Sequence, residues 1–87
     1  MKFELVKTNG YNMAVVIEGE TVYYHDETTE FPDVNEEKAV KDFLIMLSKE
    51  ADYNSWDTMT VEEYESMFDY NNCERAEVVA ELTSKVL

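Results

Sequence analysis

Seven carboxylates lie between residues 51 and 74, a segment that has no lysine or arginine. Aromatic side chains are interleaved with them. Like charges crowded together repel one another and destabilise a compact chain unless something offsets the repulsion. The simpler alternative is a solvated face that only keeps the protein soluble. We take the acidic side chains as candidate partner-binding groups: Asp52, Asp57, Glu62, Glu63, Glu65, Asp69 and Glu74.

Three of these carboxylates have a spacing that favours a binding function. Glu62, Glu65 and Asp69 stand at i, i+3 and i+7, so a helix places them in one stripe at axial steps of about 4.5 and 6 Å. Such a row is similar to a run of phosphates, although its charge density is lower than that of duplex DNA. The stripe predicts a basic, nucleic-acid-binding protein surface as the partner.

The aromatic residues of the segment allow two interpretations. Trp56 is either a partner-binding anchor, as aromatics beside charges are at interface hot spots, or a staple between a helix and the sheet. The segment that starts at Asp52 begins like a calcium loop, but Trp56 replaces a ligand and Asp57 stands where the loop needs glycine. A dedicated EF-hand is excluded, and weak surface binding of Ca²⁺ or Mg²⁺ is left open.

The sequence offers little for catalysis. His25 is the sole histidine and Cys73 the sole cysteine, and they are far apart in the chain. Gly10 and Gly19 are isolated and cannot form a phosphate-binding loop. We expect neither enzymatic activity nor a cofactor, and no Cys/His cluster supports zinc.

The elements that must position the acidic residues begin with three strands. Residues 3–7, 13–17 and 21–24 are rich in β-branched and aromatic types, and turn signals at Asn9-Gly10 and Glu18-Gly19-Glu20 separate them. This pattern predicts an antiparallel meander. Residues 13–17 are apolar without alternation, which indicates a central strand.

Helices are predicted after the strands. A helix is predicted over roughly residues 35–50, because Val40, Phe43, Leu44, Leu47 and Ala51 recur at helical spacing. Thr60 to Glu63 has the spacing of a capping box and predicts a second helix over 61–69, and apolar residues from 76 to 86 predict a third. We therefore expect a single α+β domain over residues 1–87, in which a three-stranded meander is followed by two or three helices packed on one face.

The overall charge limits the partners. Twenty Asp and Glu against seven Lys and Arg give a net charge of −13 and an isoelectric point near 4.2. Direct nucleic-acid binding needs a basic footprint, and anionic membranes would repel this chain. The single cysteine and the lack of an apolar leader favour a reducing, cytoplasmic location.

The order of these features resembles the type II-A anti-CRISPR inhibitors that phages encode. The matching residues are the strand and acidic turn at 16–23, the helix at 40–43, Trp56 and Glu62-Glu63-Tyr64. The resemblance implies an inhibitor that mimics DNA in a bacterial host and places carboxylates in the basic cleft where an RNA-guided CRISPR nuclease reads its duplex motif. Glu62, Glu63, Glu65 and Asp69 would enter that cleft, and Glu18 and Glu20 would make a second contact near the nuclease domains.

Two other functions fit the same composition. An immunity-type antidote that neutralises a nuclease toxin would use the same electrostatics with a different partner. A structural or adaptor domain would use its acidity only for solubility.

Overall fold

A computed structural model describes residues 1–26, 31–33, 35–50, 52–69 and 76–83 of the chain. Five strands form one antiparallel sheet in the order β4-β3-β2-β1-β5. The elements, in chain order, are β1 (Lys2–Lys7), β2 (Asn12–Glu18), β3 (Thr21–His25), α1 (Glu37–Glu50), a 3₁₀ turn (Tyr53–Ser55), β4 (Asp57–Thr60), α2 (Val61–Ser66) and β5 (Glu77–Thr83).

Strands β1, β2 and β3 are joined by two short turns, at the positions that the glycine signals predict. In the first turn, the Thr8 main-chain N–H donates to the Tyr11 carbonyl at 2.8 Å, and the Tyr11 N–H donates to Thr8 Oγ1 at 3.2 Å. In the second turn, Gly19 has a φ of +62°, a conformation that glycine adopts without steric cost.

Side chains on opposite faces of the sheet form two cores. Phe3, Leu5, Ala14 and Val16 pack with Val40, Leu44 and Leu47 of α1, on what we call the α1 face. On the other side, which we call the α2 face, the residues that pack together are Val6, Met13, Val15, Val22, Tyr64 and Met67. Both faces of the sheet are therefore covered.

The predicted architecture is wrong. In place of a three-stranded meander with two or three helices on one face, the structure has a five-stranded sheet and one long helix, α1. The second predicted helix is reduced to the six residues of α2, which pack on the opposite face from α1. In place of the third predicted helix, residues 77–83 form β5.

A β-bulge explains why β5 has the pattern of a helix. Leu5 of β1 pairs with Ala80, whereas the next residue, Val6, pairs with Val78, so Val79 is the extra residue. A bulge shifts the alternation of side chains between the two faces. Ala76 and Val78 consequently pack on the α2 face, while Ala80 and Leu82 pack on the α1 face. The resulting apolar spacing mimics that of a helix.

Helix α1 begins two residues later than the predicted residue 35 and presents the predicted face to the sheet. Val40, Leu44 and Leu47 are buried and Phe43 is half-buried. Ala51, the last residue of the predicted apolar face, lies outside the described residues. The turn before the helix is fixed by Asp33, whose Oδ1 accepts from the Asn35 N–H at 2.9 Å.

The face of α1 that packs on the sheet can be tested by mutation. Leu44 is 3% exposed, so Leu44→Ala should lower the free energy of unfolding by about 2–5 kcal/mol through lost burial and the cavity left behind. The neighbouring Ile45 is 39% exposed, and Ile45→Ala should cost less than about 1 kcal/mol. Urea denaturation followed by circular dichroism measures both values. Equal losses in the two variants would contradict this packing.

Candidate functional site

Pairing of β4 with β3 brings two acidic segments to one end of the sheet. Thr60, the last residue of β4, lies opposite Thr21, the first residue of β3. The start of α2 therefore adjoins the turn between β2 and β3. A shallow cavity of about 510 Å³ lies between them, and Glu20 and Glu62 both line it. We call Glu18, Glu20, Glu62, Glu63 and Glu65 the acidic end.

Glu18 has a fixed orientation at this end. Its Oε2 accepts a hydrogen bond from the Tyr53 hydroxyl at 2.8 Å, and this bond raises the pKa of Tyr53. Glu18 is two residues after Val16, which belongs to the α1 face, so it projects to that side of the sheet. The carboxylates therefore wrap around the end of the sheet, because α2 lies on the other face.

The first turn of α2 has the predicted capping box. The Glu63 N–H donates to Thr60 Oγ1 at 3.0 Å, and the Thr60 N–H donates to Glu63 Oε1 at 3.3 Å. The Glu63 carboxylate is thus turned back onto the helix terminus and stabilises it. Glu62 and Glu65 are exposed on the same helix, three residues apart.

The predicted stripe of three carboxylates is shorter than expected. Helix α2 ends at Ser66, not at residue 69. The main-chain hydrogen bonds that follow join residues three apart, as in a 3₁₀ turn. The N–H groups of Phe68 and Asp69 donate to the carbonyls of Glu65 and Ser66, both at 3.1 Å. Glu62 and Glu65 remain on one helix turn, and Asp69 is exposed beyond the end of the helix.

The other predicted residues lie before the acidic end in the chain. Asp52 is exposed ahead of the 3₁₀ turn, and Asp57 is exposed at the start of β4. Asp57 is three residues from Thr60, about 10 Å along an extended strand. Trp56 is half-buried, and its ring stacks on His25 with 5.4 Å between centroids. Trp56 also packs against the α1-face core, as a staple does. Glu74 and Cys73 lie outside the described residues.

The sequence analysis missed a buried polar network that holds α2 on the sheet. Glu4 is 3% exposed within β1 and accepts a hydrogen bond from the Tyr64 hydroxyl. Lys2 Nζ lies 3.4 Å from a Glu4 oxygen and 3.2 Å from a Glu81 oxygen. A hydrogen bond to Glu81 and the charge of Glu4 raise the pKa of Lys2. Burial, followed by the hydrogen bond to Glu4, raises the pKa of Tyr64 well above its usual value.

The alternation of residues in β1 explains why the buried network was not predicted from the sequence. Phe3 and Leu5 alternate with Lys2 and Glu4, which is typical of a strand with one solvated face. Tyr64 covers that second face, so Glu4 is buried and requires a partner. One feature of the sequence could have indicated the network. Tyr64 lies on the buried side of α2, and a buried tyrosine hydroxyl usually has a hydrogen-bond partner.

The chemistry that the described residues offer at this end of the sheet is that of exposed carboxylates. Within the described ranges, no group of three or more His, Cys, Asp or Glu side chains is arranged to hold a metal ion. In the same part of the chain, no helix is long and apolar enough to cross a membrane. The arrangement is suited to electrostatic attraction of a cationic surface.

Comparisons with models of protein families, with curated proteins and with solved structures find no match to this chain. The resemblance to anti-CRISPR inhibitors therefore stays a hypothesis. The function has to be argued from the geometry and charge of the acidic end.

The Glu4–Tyr64 contact predicts a measurable contribution to stability. Tyr64→Phe removes the hydroxyl and leaves a buried carboxylate with one partner fewer, which should cost about 1–3 kcal/mol in urea denaturation. Tyr24 packs on the same face but makes no such bond to a carboxylate in the described residues, so Tyr24→Phe should cost less than about 0.5 kcal/mol. A loss in the Tyr64 variant no larger than in this control would contradict the network.

The raised pKa of Tyr64 predicts how stability changes in alkali. The folded protein favours the neutral phenol, so the contribution of Tyr64 is complete below its unfolded pKa of about 10 and is lost as the pH rises beyond it. Between about pH 9 and 11, wild type should lose more free energy of unfolding than Tyr64→Phe. The Tyr24→Phe control should follow wild type. Identical alkaline losses in all three proteins would contradict the assignment.

Proposed function

We propose that this protein is an acidic DNA mimic that inhibits a nucleic-acid-binding protein by occupying its basic cleft. The observation that carries the proposal is the position of Glu20 and Glu62. These residues are far apart in the sequence, yet they line the same shallow cavity at one end of the sheet. Two separate acidic segments are thereby combined into one surface.

The distribution of ion pairs supports this proposal, because the observed pairs lie elsewhere and do not neutralise the acidic end. Among the described residues, the ion pairs join Lys2 to Glu4 and Glu81, and Lys38 to Asp42. Glu20, Glu62 and Glu65 take part in none of them and are exposed. Their charges are therefore available to a cationic partner and repel one another while the partner is absent.

The turn and cap geometry beneath these carboxylates also supports binding. Gly19 shapes the turn that carries Glu20, and the capping box fixes the helix terminus that carries Glu62. A surface that is ordered before binding loses less conformational entropy when the complex forms. Tyr64 adds to this order by holding α2 against the sheet.

The class of partner follows from the resemblance. An RNA-guided CRISPR nuclease of type II-A has a basic cleft that reads a short duplex, and the acidic end would block it. This assignment places the protein in the cytoplasm of a bacterial host. An immunity-type antidote remains the alternative, because a nuclease toxin offers a basic cleft as well. If acidity serves solubility alone, in an adaptor domain, no particular carboxylate should matter.

Competition against a fluorescent duplex tests the proposal. Wild-type protein should displace a duplex that carries the short recognition motif from a guide-loaded type II-A nuclease, as measured by anisotropy. The double variant Glu20→Lys/Glu62→Lys should compete at least about 10-fold less well, because close interfacial charge pairs contribute more than about 1.4 kcal/mol. Raising salt from about 50 to 300 mM should weaken the wild type strongly, since exposed charges are screened.

A matched variant separates mimicry from net charge. Glu36→Lys/Glu37→Lys changes the charge equally on exposed residues near the start of α1, away from the acidic end. Its competition should stay within about threefold of wild type, because net charge acts only as a screened, long-range effect. Equal losses in both double variants would favour the solubility interpretation. Failure of wild type against the CRISPR nuclease, with displacement of DNA from a nuclease toxin, would favour the antidote.

A further inference from the structure

Strand β5 forms an edge of the sheet that is available for pairing. One side of β5 pairs with β1 along Glu77–Thr83, and no strand of the described ranges pairs with its other side. A strand edge presents N–H and carbonyl groups that pair with another strand. The apolar side chains of β5 are only half-buried, namely Val78, Val79, Ala80 and Leu82. The edge therefore offers both main-chain groups and apolar area to a partner.

A groove of about 790 Å³ lies between this edge and α1. The apolar part of its lining consists of Val40, Leu44, Val79 and Ala80. Glu37 and Lys41 line it from α1, one helical turn apart, and neither takes part in an ion pair of the described residues. Lys38 also lines the groove, but it is paired with Asp42 at 2.9 Å. Glu37 and Lys41 are therefore the charges that a partner on this side can pair with.

The charges around the groove favour a second copy of the chain as that partner. Two bases and two acids line it, in a chain whose net charge is −13: Lys38, Lys41, Glu37 and Glu81. A surface with both signs gives a strongly acidic or strongly basic partner little advantage. A two-fold axis turns the second α1 antiparallel to the first, so Glu37 of each copy faces Lys41 of the other. Two copies thus satisfy both free charges at once.

We propose that two copies of this chain pair their β5 edges antiparallel about a two-fold axis. They form one continuous sheet of ten strands, five from each copy. Because α1 lies over β1 and β5, its axis is about 5 Å from the seam when strands are about 4.8 Å apart. The two α1 helices then lie about 10 Å apart, a distance at which helices pack side by side. Ile45, which is 39% exposed on this side of α1, is covered by the second helix.

Repulsion between the two acidic chains is limited by where their carboxylates lie. The acidic end is beside β4, and the β4 strands of the two copies are nine strand spacings, or about 43 Å, apart. Exposed charges are screened over about 8–10 Å near physiological salt. Pairing through β4 instead would bring Glu20 and Glu62 of both copies together. The β5 edge is therefore the favoured seam.

The carboxylates of β5 itself do not meet directly across this seam. Glu81 pairs with Glu4 on the α2 face, where Val78 also packs, so Glu77, the neighbour of Val78, is directed to the α1 face. Residues directly opposite each other in a pair of strands share a face. Glu77 of one copy is consequently never opposite Glu81 of the other. Each acidic end also stays accessible, so the dimer does not depend on DNA mimicry.

Sedimentation equilibrium of the full chain tests the dimer. In about 150 mM salt, the mass should rise from 10.2 kDa toward twice that value as the concentration increases to about 1 mM. In a mixture of isotope-labelled and unlabelled copies, isotope-filtered NOE signals should join residues 77–83 of one copy to the same residues of the other. A chain that stays monomeric at about 1 mM would overturn the proposal, even if a foreign segment binds the edge. Contacts between copies at β4 would overturn it as well.

Exchanging two charges on α1 tests how the copies are oriented. Lys41→Glu and Glu37→Lys should each weaken the dimer at least about threefold, because like charges then meet across the seam. Glu37→Lys/Lys41→Glu restores opposite signs and the original net charge, so it should return to within about twofold of wild type. Lys49→Glu, exposed near the end of α1, should change the dimer less than about twofold. A double variant as weak as the single ones would refute the antiparallel arrangement.

The dimer and the inhibition proposed above can fail separately. Glu36→Lys/Glu37→Lys should be a weaker dimer than wild type and should still compete with the duplex, because its acidic end is unchanged. Sedimentation and anisotropy measure the two properties on the same sample. Dimerisation of this variant as tight as that of wild type would contradict the seam between the α1 helices.

Discussion

Strand β1 imposes the constraint on which the rest of the structure depends. Residues 3–6 are buried, with a neighbouring strand on each edge and a helix on each face. Buried main-chain N–H and carbonyl groups require hydrogen-bond partners, so β1 needs β5 as well as β2. The chain therefore has to return from β4, at one edge of the sheet, to the other edge. Helix α1 covers Phe3 and Leu5, and α2 covers the opposite face.

A carboxylate on this strand determines how α2 is held. Burying Glu4 would cost several kcal/mol without partners, and Tyr64 and Lys2 supply them. A helix of six residues is too short to be stable alone, so its position depends on the burial of Tyr64 and Met67. The acidic end is consequently placed by contacts beneath it and not by interactions among its own charges.

Local signals in the sequence were sufficient for the elements that depend on local chemistry. The turn at Asn9-Gly10, the capping box at Thr60 and the buried face of α1 all follow from residues within four or five positions of one another. Strand β5 was mistaken for a helix because a bulge disrupts its alternation, and the bulge exists only in the pairing with β1. Strand β4 has four residues, too few for an alternation of apolar and polar side chains to be recognised in the sequence.

The candidate site was predictable in composition but not in arrangement. The individual carboxylates stand out because the segment from 51 to 74 has no base. Their proximity to the turn at Gly19 results from the register between Thr21 and Thr60, which no local pattern encodes. The contact between Glu4 and Tyr64 likewise joins residues that are distant in sequence.

The order of the strands gathers unpaired carboxylates at one edge of the sheet. Glu20 and Glu62 line one cavity beside β3 and β4 and join no ion pair of the described residues, whereas at the β5 edge Lys38 and Lys41 share a groove with Glu37 and Glu81. An uneven distribution of this kind orients a protein as it approaches a charged partner, because the field acts before contact is made. A basic cleft would meet the acidic end first, and the edge of β5 would then face away from the cleft.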